Sequence, residues 1–164
     1  MRQSKLDTYM LGIAHLTALQ SKAQRLKVGA VFSRDGRPLC TGWNGMLEGI
    51  ADDSCEDSLG NTKSSVIHAE MNALRYMARA GISTDGATLY ITHAPCINCA
   101  KHLAGIGLER IVYTTLYRSS EGLDFIRNNT SIIIEQKDFS WTHVVPATSL
   151  CQTATTWALS AALA

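Results

Sequence analysis

Leu6, Tyr9, Met10, Ile13, Leu16 and Leu19 recur at three- and four-residue intervals, the stripe of an amphipathic helix. The period then changes. Val28 to Ser33 is a short, apolar, β-branched run, Asp35-Gly36 follows, and Leu39 to Trp43 resumes the run, which predicts a β-hairpin. Residues 44–65 hold Gly, Asp, Asn and Ser without a sustained period, a long loop of the kind that carries function or moves. Ser64 and Ser65 are helix-capping residue types and predict a helix from there to about Arg79, ended by Gly81. Ala87 to Thr92 predicts a strand, and Pro95 suits the start of a short helix to about Ala104. A strand over Arg110–Thr115, a helix over Glu121–Asn128 and a strand over Ser131–Glu135 complete the pattern.

This order of elements predicts an α/β domain with helices on both faces of one sheet. The later strand–helix–strand crossovers make those strands parallel. Beyond Asp138 the pattern fades. The chain therefore divides into a domain at 1–137 and a C-terminal extension at 138–164. Within the extension, Thr153–Ala164 is Ala-rich and reads either as a terminal helix packed on a partner subunit or as a loosely held tail. The length, 164 residues, suits one core of ordinary size.

Charge and cysteine usage narrow the function. Lys and Arg (15) nearly balance Asp and Glu (14), a net +1, so there is no broad basic field for nucleic acid. A local phosphate pocket needs only two or three donors and stays open. No run of 18 apolar residues is present to span a membrane, and polar Met1–Lys5 lacks the apolar stretch of a signal peptide. The five cysteines (40, 55, 96, 99, 151) are an odd set without a secretion signal, which predicts a reducing cytoplasm. There, Cys-x-x-Cys is metal-binding or redox-active.

Two fragments carry chemistry: His68-Ala69-Glu70, and Pro95-Cys96-Ile97-Asn98-Cys99. Both open predicted helices, so both can meet at one edge of the sheet, where open α/β sheets bind ligands. Cys96 and Cys99 share a helix face, and a helix N-terminus favours their thiolates. His68, Cys96 and Cys99 supply three zinc ligands and leave a fourth position open, the pattern of a catalytic site. Two thiolates neutralise the zinc charge, so water there is less acidic than at an all-histidine site and a nearby base is useful. Glu70 is placed to be that base. Competing readings are a redox pair, which leaves His68 and Glu70 unused, and a closed structural zinc with His102 as fourth ligand, which makes the His-Ala-Glu placement a coincidence.

His-x-Glu followed by Pro-Cys-x-x-Cys, with 24 residues between Glu70 and Pro95, resembles the signature of the zinc cytidine/deoxycytidylate deaminase superfamily. His68 at the first ligand position sets it apart from the three-cysteine cytidine deaminases. Ala94 stands where the tRNA adenosine, guanine and riboflavin-pathway deaminases usually have Glu. Ser21-Lys22, Lys27-Val28-Gly29-Ala30-Val31, Gly42-Trp43-Asn44-Gly45-Met46, Asp52-Asp53, His68-Ala69-Glu70-Met71-Asn72-Ala73, Val112-Tyr113 and Tyr117-Arg118 together resemble the deoxycytidylate (dCMP) deaminases over roughly residues 5–136. Two departures are Trp43, where that family usually has Tyr, and the acid at Leu47-Glu48, where it often has a small or basic residue.

The resemblance implies a three-layer α/β/α sandwich around a five-stranded mixed sheet, and hydrolysis of dCMP to dUMP and ammonia for thymidylate synthesis. It implies one catalytic Zn2+ per chain on His68, Cys96 and Cys99, with Glu70 moving protons to N3 of cytosine and to the departing amine. The Ala69 backbone and the Asn44 side chain would contact base and sugar, Tyr117 would bound the deoxyribose, and Arg118 would hold the phosphate. The competing reading of Arg118 is a solvated loop arginine. The resemblance further implies a cytoplasmic homohexamer (host cytoplasm for a viral protein), activated by dCTP and inhibited by dTTP with Mg2+. Gly42, Trp43, Asn44 and Gly45 become effector contacts, Lys22 and Lys27 triphosphate partners, and Arg79 a link between effector and active sites. The competing reading is a turn with surface lysines and a solvated helix end. A second, structural zinc is not expected, because loop 56–67 has no histidine. Alternative functions are deamination of another cytosine nucleotide such as dCTP, or an idle nucleotide sensor around a structural zinc, which would have no need of Glu70.

Overall fold

The computed structural model describes residues 2–143. Its elements are α1 (Arg2–Ala18), β1 (Gly29–Arg34), β2 (Arg37–Trp43), α2 (Ala69–Ala80), β3 (Thr88–His93), α3 (Ile97–Leu103), β4 (Arg110–Thr115), α4 (Glu121–Asn129) and β5 (Ile133–Gln136), followed by a 3-10 turn at Trp141–His143. The predicted terminal helix at 153–164 lies outside the described residues. No described helix is long and apolar enough to cross a membrane.

The strands form one sheet in the order β2-β1-β3-β4-β5. The β1–β2 hairpin turns through Asp35-Gly36, and β1 also pairs antiparallel with β3, Ala30 opposite Ile91. From β3 onward the pairs are parallel, Leu89 opposite Ile111 and Ile111 opposite Ile134, as helical crossovers require. Helices cover both faces. On one, Met10, Leu11 and Ala14 of α1 pack on Val31, Tyr90 and Val112. On the other, α2, α3 and α4 bring Ala69, Ala73, Met77, Ala100, Leu103, Leu123 and Ile126 onto Phe32, Leu89, Ile91 and Ile111. This is the expected three-layer mixed-sheet sandwich.

Two local expectations are corrected. The amphipathic stripe of α1 is split: Met10 is buried and Leu6 and Ile13 pack beside it, but Tyr9, Leu16 and Leu19 are 56%, 53% and 65% exposed. The face on the sheet is instead Asp7, Met10, Leu11, Ala14 and Ala18, with small residues where helix and strand approach closely. The second helix starts at Ala69, with His68 as its N-cap, and not at Ser64 or Ser65. Tertiary pairing overrides those caps, because Ile67 exchanges backbone hydrogen bonds with Gly45 and keeps the approach to His68 extended. The end is as expected, Gly81 at φ 69° closing the helix.

Asp7 anchors α1 to the sheet. Arg110 donates to its Oδ1 at 2.7 Å and to its Oδ2 at 2.9 Å, and the Tyr90 hydroxyl donates at 2.9 Å. Glu135 pairs with the other side of Arg110.

Gly42 lets α2 lie against β2. A Cβ there would stand 2.4 Å from the Ala69 carbonyl oxygen and 2.6 Å from the Ala73 nitrogen, both backbone atoms that cannot rotate away. Gly42→Ala is therefore expected to destabilise the fold by about 3 kcal/mol, the upper range for overpacking. Urea unfolding measures it, and a change within 0.5 kcal/mol (about the scatter of neutral surface substitutions) would contradict this packing.

Candidate active site

The parallel strands deliver two helix starts to one edge of the sheet. β3 ends at His93, and Ala94 N–H then bonds to the Thr115 carbonyl at 2.9 Å, tying the ends of β3 and β4 together. Cys96 follows as the N-cap of α3, in extended conformation like His68 at the head of α2. Gly122 of α4 sits so near that a Cβ would fall 2.2 Å from the Pro95 carbonyl oxygen, which fixes the Pro95-Cys96 turn from outside.

At this junction His68 Nδ1 lies 3.5 Å from Cys96 Sγ and 3.3 Å from Cys99 Sγ. The three ligating atoms lie within 4.8 Å of one another, the one such group of three or more His, Cys, Asp or Glu among the described residues. Around a tetrahedral zinc, nitrogen and sulfur ligands stand about 3.6 Å apart, so the spacing and the N/S/S donor set fit that ion. Cys99 is buried, while His68 and Cys96 are half-buried, leaving the cage open on one side. His102, the alternative fourth ligand, is not in the cluster.

The three groups shift one another's protonation. Hydrogen bonds from Cys99 and then His68 hold the Cys96 thiol down, to about 3, which favours its thiolate form. The same bond to Cys96, with burial, pushes Cys99 up. His68 is raised, chiefly by its bond to Cys96, against burial that lowers it.

Glu70 is in the first turn of α2 and only 2% exposed. Burial raises its pKa, opposed by its own backbone N–H and by the Cys99 thiol, so the carboxyl lies at the cage without belonging to the ligand cluster. A buried carboxyl beside an open N/S/S cage can pass protons at the position where a metal ion polarises water.

The Gly-Trp-Asn-Gly segment braces this arrangement. Gly45 pairs with Ile67, one residue before His68, and Asn72 of α2 donates to the Trp43 carbonyl at 2.9 Å. Asn44 accepts from Val28 N–H at 2.8 Å, donates to the Leu26 carbonyl at 2.8 Å, and receives the Ser21 hydroxyl on its own carbonyl at 2.7 Å. Its carboxamide thus holds the 21–28 loop beside the head of α2. The bracing roles of Ser21 and Asn72 are missed by sequence reasoning, because a backbone-directed hydrogen bond leaves no spacing pattern. Tyr117 and Arg118 follow β4; the guanidinium donates to the Tyr117 hydroxyl at 2.8 Å and lies 5.1 Å from its ring centroid. Arg118 is near enough to act electrostatically on His68.

The proposed effector residues divide. Lys22, Trp43, Gly45 and Arg79 line one cleft of about 1420 Å³, which contains none of the cage residues. Lys22 pairs with Asp53 there. Gly42 and Asn44 do not line that cleft, and Lys27 instead borders a separate groove with His15 and Leu16.

An open α/β sheet carrying an N/S/S cage and a buried carboxyl at two helix heads defines a zinc-hydrolase site. Residues 4–115 match the family described as the cytidine and deoxycytidylate deaminase zinc-binding region, and the chain belongs to that family of hydrolytic deaminases. It is 40% identical over 126 residues to a deoxycytidylate deaminase of Mycobacterium phage D29, covering 69% of this chain and 97% of the relative. Against the deoxycytidylate deaminase of Enterobacteria phage T4 it is 33% identical over 164 residues, covering 75% and 85%. The crystal structure of a dCMP deaminase from the cyanophage S-TIM5, in complex with dCMP and dUMP, matches with a TM-score of 0.78 at 34% identity, covering 81% of this chain and 97% of that one.

Proposed function

We propose that the protein hydrolyses dCMP to dUMP and ammonia. The observation that carries this is the buried Glu70 beside the His68, Cys96 and Cys99 cage. The choice of dCMP rests on likeness to the phage enzymes and to the cyanophage structure with dCMP and dUMP. His68, Cys96 and Cys99 would hold the zinc, which when bound would supply a Lewis acid that makes water nucleophilic near neutral pH. Glu70 takes a proton from the attacking water, gives one to N3 of cytosine, and passes one to the amine as the C4–N bond breaks. Water supplies the new oxygen at C4, and ammonia leaves. The Ala69 backbone and Asn44 contact base and sugar, Tyr117 bounds the deoxyribose, and Arg118 takes the phosphate by a bidentate contact. Purified protein incubated with dCMP, dCTP, cytidine and adenosine tests the substrate through the absorbance loss on deamination. dCMP is expected to turn over fastest; a preference for dCTP or adenosine would overturn the assignment.

Cys99→Ser tests the cage. A serine hydroxyl keeps the size of the side chain but is a poor zinc ligand, so zinc content is expected to fall well below one per chain in atomic absorption, with turnover falling in step. Full zinc occupancy in the variant would remove Cys99 from the ligand set.

The regulatory reading belongs to the cleft lined by Lys22, Trp43, Gly45 and Arg79. There a triphosphate with Mg2+ binds between subunits or within one, in a homohexamer activated by dCTP and inhibited by dTTP. Rate against dCMP is expected to be sigmoidal and to become hyperbolic with dCTP; identical curves with either triphosphate would remove regulation. The division of labour proposed for the chain is a deaminase domain at 1–137 acting in the cytoplasm, with 138–164 as an extension.

A further inference from the structure

Helix α1 has two apolar faces and uses one. Met10, Leu11, Ala14 and Ala18 are buried on the sheet, whereas Tyr9 and Leu16, with Leu19 in the turn that follows the helix, are more than half exposed. The outer residues follow helical spacing, so they form one stripe. At its C-terminal end the stripe enters a groove lined by His15, Leu16, Ala18, Leu19, Lys27 and Trp141. No described residue covers the stripe.

The chain itself runs toward this face. After β5, the Phe139 ring stacks on His15 with centroids 4.5 Å apart and planes 12° apart, and it also lies over Gly12. Trp141 meets Phe139 edge-on at 5.1 Å and lines the groove. Trp141, among the last described residues, therefore stands at the rim of the uncovered face.

The composition of residues 144–164 matches such a destination. Val144, Val145, Leu150, Trp157, Leu159 and Leu163 stand among Ala, Ser and Thr, with no Asp, Glu, Lys or Arg. A segment of that kind lacks the charge that keeps solvated chains soluble, and it has apolar surface to bury. Tyr9 to Leu19 spans about 15 Å along a helix, and residues 153–164 as a helix span about 18 Å. Residues 144–152 reach up to about 30 Å when extended, enough to turn back along α1 in either direction. Tethering also gives this occupant a high effective concentration over a second molecule.

We propose that residues 144–164 dock along the outer face of α1, over Tyr9, Leu16, Leu19 and the Trp141 groove. The cover closes an apolar patch, and α1 gains a second packed side opposite the sheet.

Hydroxyl-radical footprinting of the full chain tests this, because Leu59, 84% exposed, serves as an internal standard for a free leucine. Leu16 and Leu19 are expected to react about fivefold more slowly than Leu59, as for side chains freed only by local opening. Trp157→Ser with Leu159→Ser should bring them up toward the Leu59 rate. In the reverse direction, Leu16→Glu with Leu19→Glu, both on the exposed face, should speed chymotryptic cleavage after Trp157 by about fivefold or more. Rates equal to Leu59 in the full chain would overturn the proposal. So would protection that survives the tail substitutions, or that vanishes on dilution with the oligomer, since a second copy would then be the cover. Unchanged cleavage after Trp157 in the α1 variant would overturn it as well.

Discussion

Glu70→Gln is expected to lower kcat for dCMP by about 1000-fold, within the range of a positioned proton-transfer group. Glutamine keeps the shape of the side chain in a site that leaves Glu70 2% exposed, so the fold and the cage should survive. What it loses is the ability to accept a proton and give it up. In the proposed mechanism the same group serves N3 and the departing amine, so no single added acid or base is expected to replace it. Zinc content should stay at one per chain, because Glu70 is outside the ligand cluster. KM should change far less than kcat, since the loss falls on the transition state. A variant retaining full rate with full zinc would sink the proton-transfer role; one that loses zinc would move Glu70 into the ligand set.

The second large effect concerns stability. Asp7→Ala is expected to cost about 3–5 kcal/mol, the price of breaking a buried ion pair and leaving one charge uncompensated. The side chains of Arg110 and Asp7 are 11% and 4% exposed, so water cannot replace the lost partner. Glu135 also pairs with Arg110, which places the expected loss toward the lower end. The Tyr90 hydroxyl loses its acceptor too. The pH dependence has a definite sign. Burial alone would raise the Asp7 pKa, but bonds from Arg110, Tyr90 and Gln3 outweigh it and hold the carboxyl below its usual value. The stabilisation is therefore fully present above about pH 4, the unfolded value, and is lost as pH falls through the folded one. Urea midpoints at pH 7 and below pH 4 measure both effects. The gap between wild type and Asp7→Ala should narrow in acid; a gap that widens would contradict the linkage.

The site was more legible in the sequence than its supports. His68, Glu70, Cys96 and Cys99 are chemically unusual at helix starts, and topology needs only to bring two helix heads to one sheet edge. The α1 face was not legible, because Tyr9, Leu16 and Leu19 fit the helical period as well as Met10, Leu11 and Ala14 do. The choice is made by close approach, where Ala14 and Ala18 allow the helix onto β1 and larger residues would not. The start of α2 was misplaced for a related reason: the Gly45–Ile67 pairing is a long-range contact, and it overrules the local preference of Ser64 and Ser65 for a cap. Lys27 shows the same limit. It lies near Lys22 in sequence, yet the turn after α1 sends the two to different grooves.

The most direct test is the yield of dUMP and ammonia from dCMP by protein of known zinc content. The expected result is equal molar release of the two products by protein carrying one zinc per chain, abolished by a chelator and restored by zinc. Turnover by metal-free protein, or no dUMP from fully zinc-loaded protein, would contradict the account.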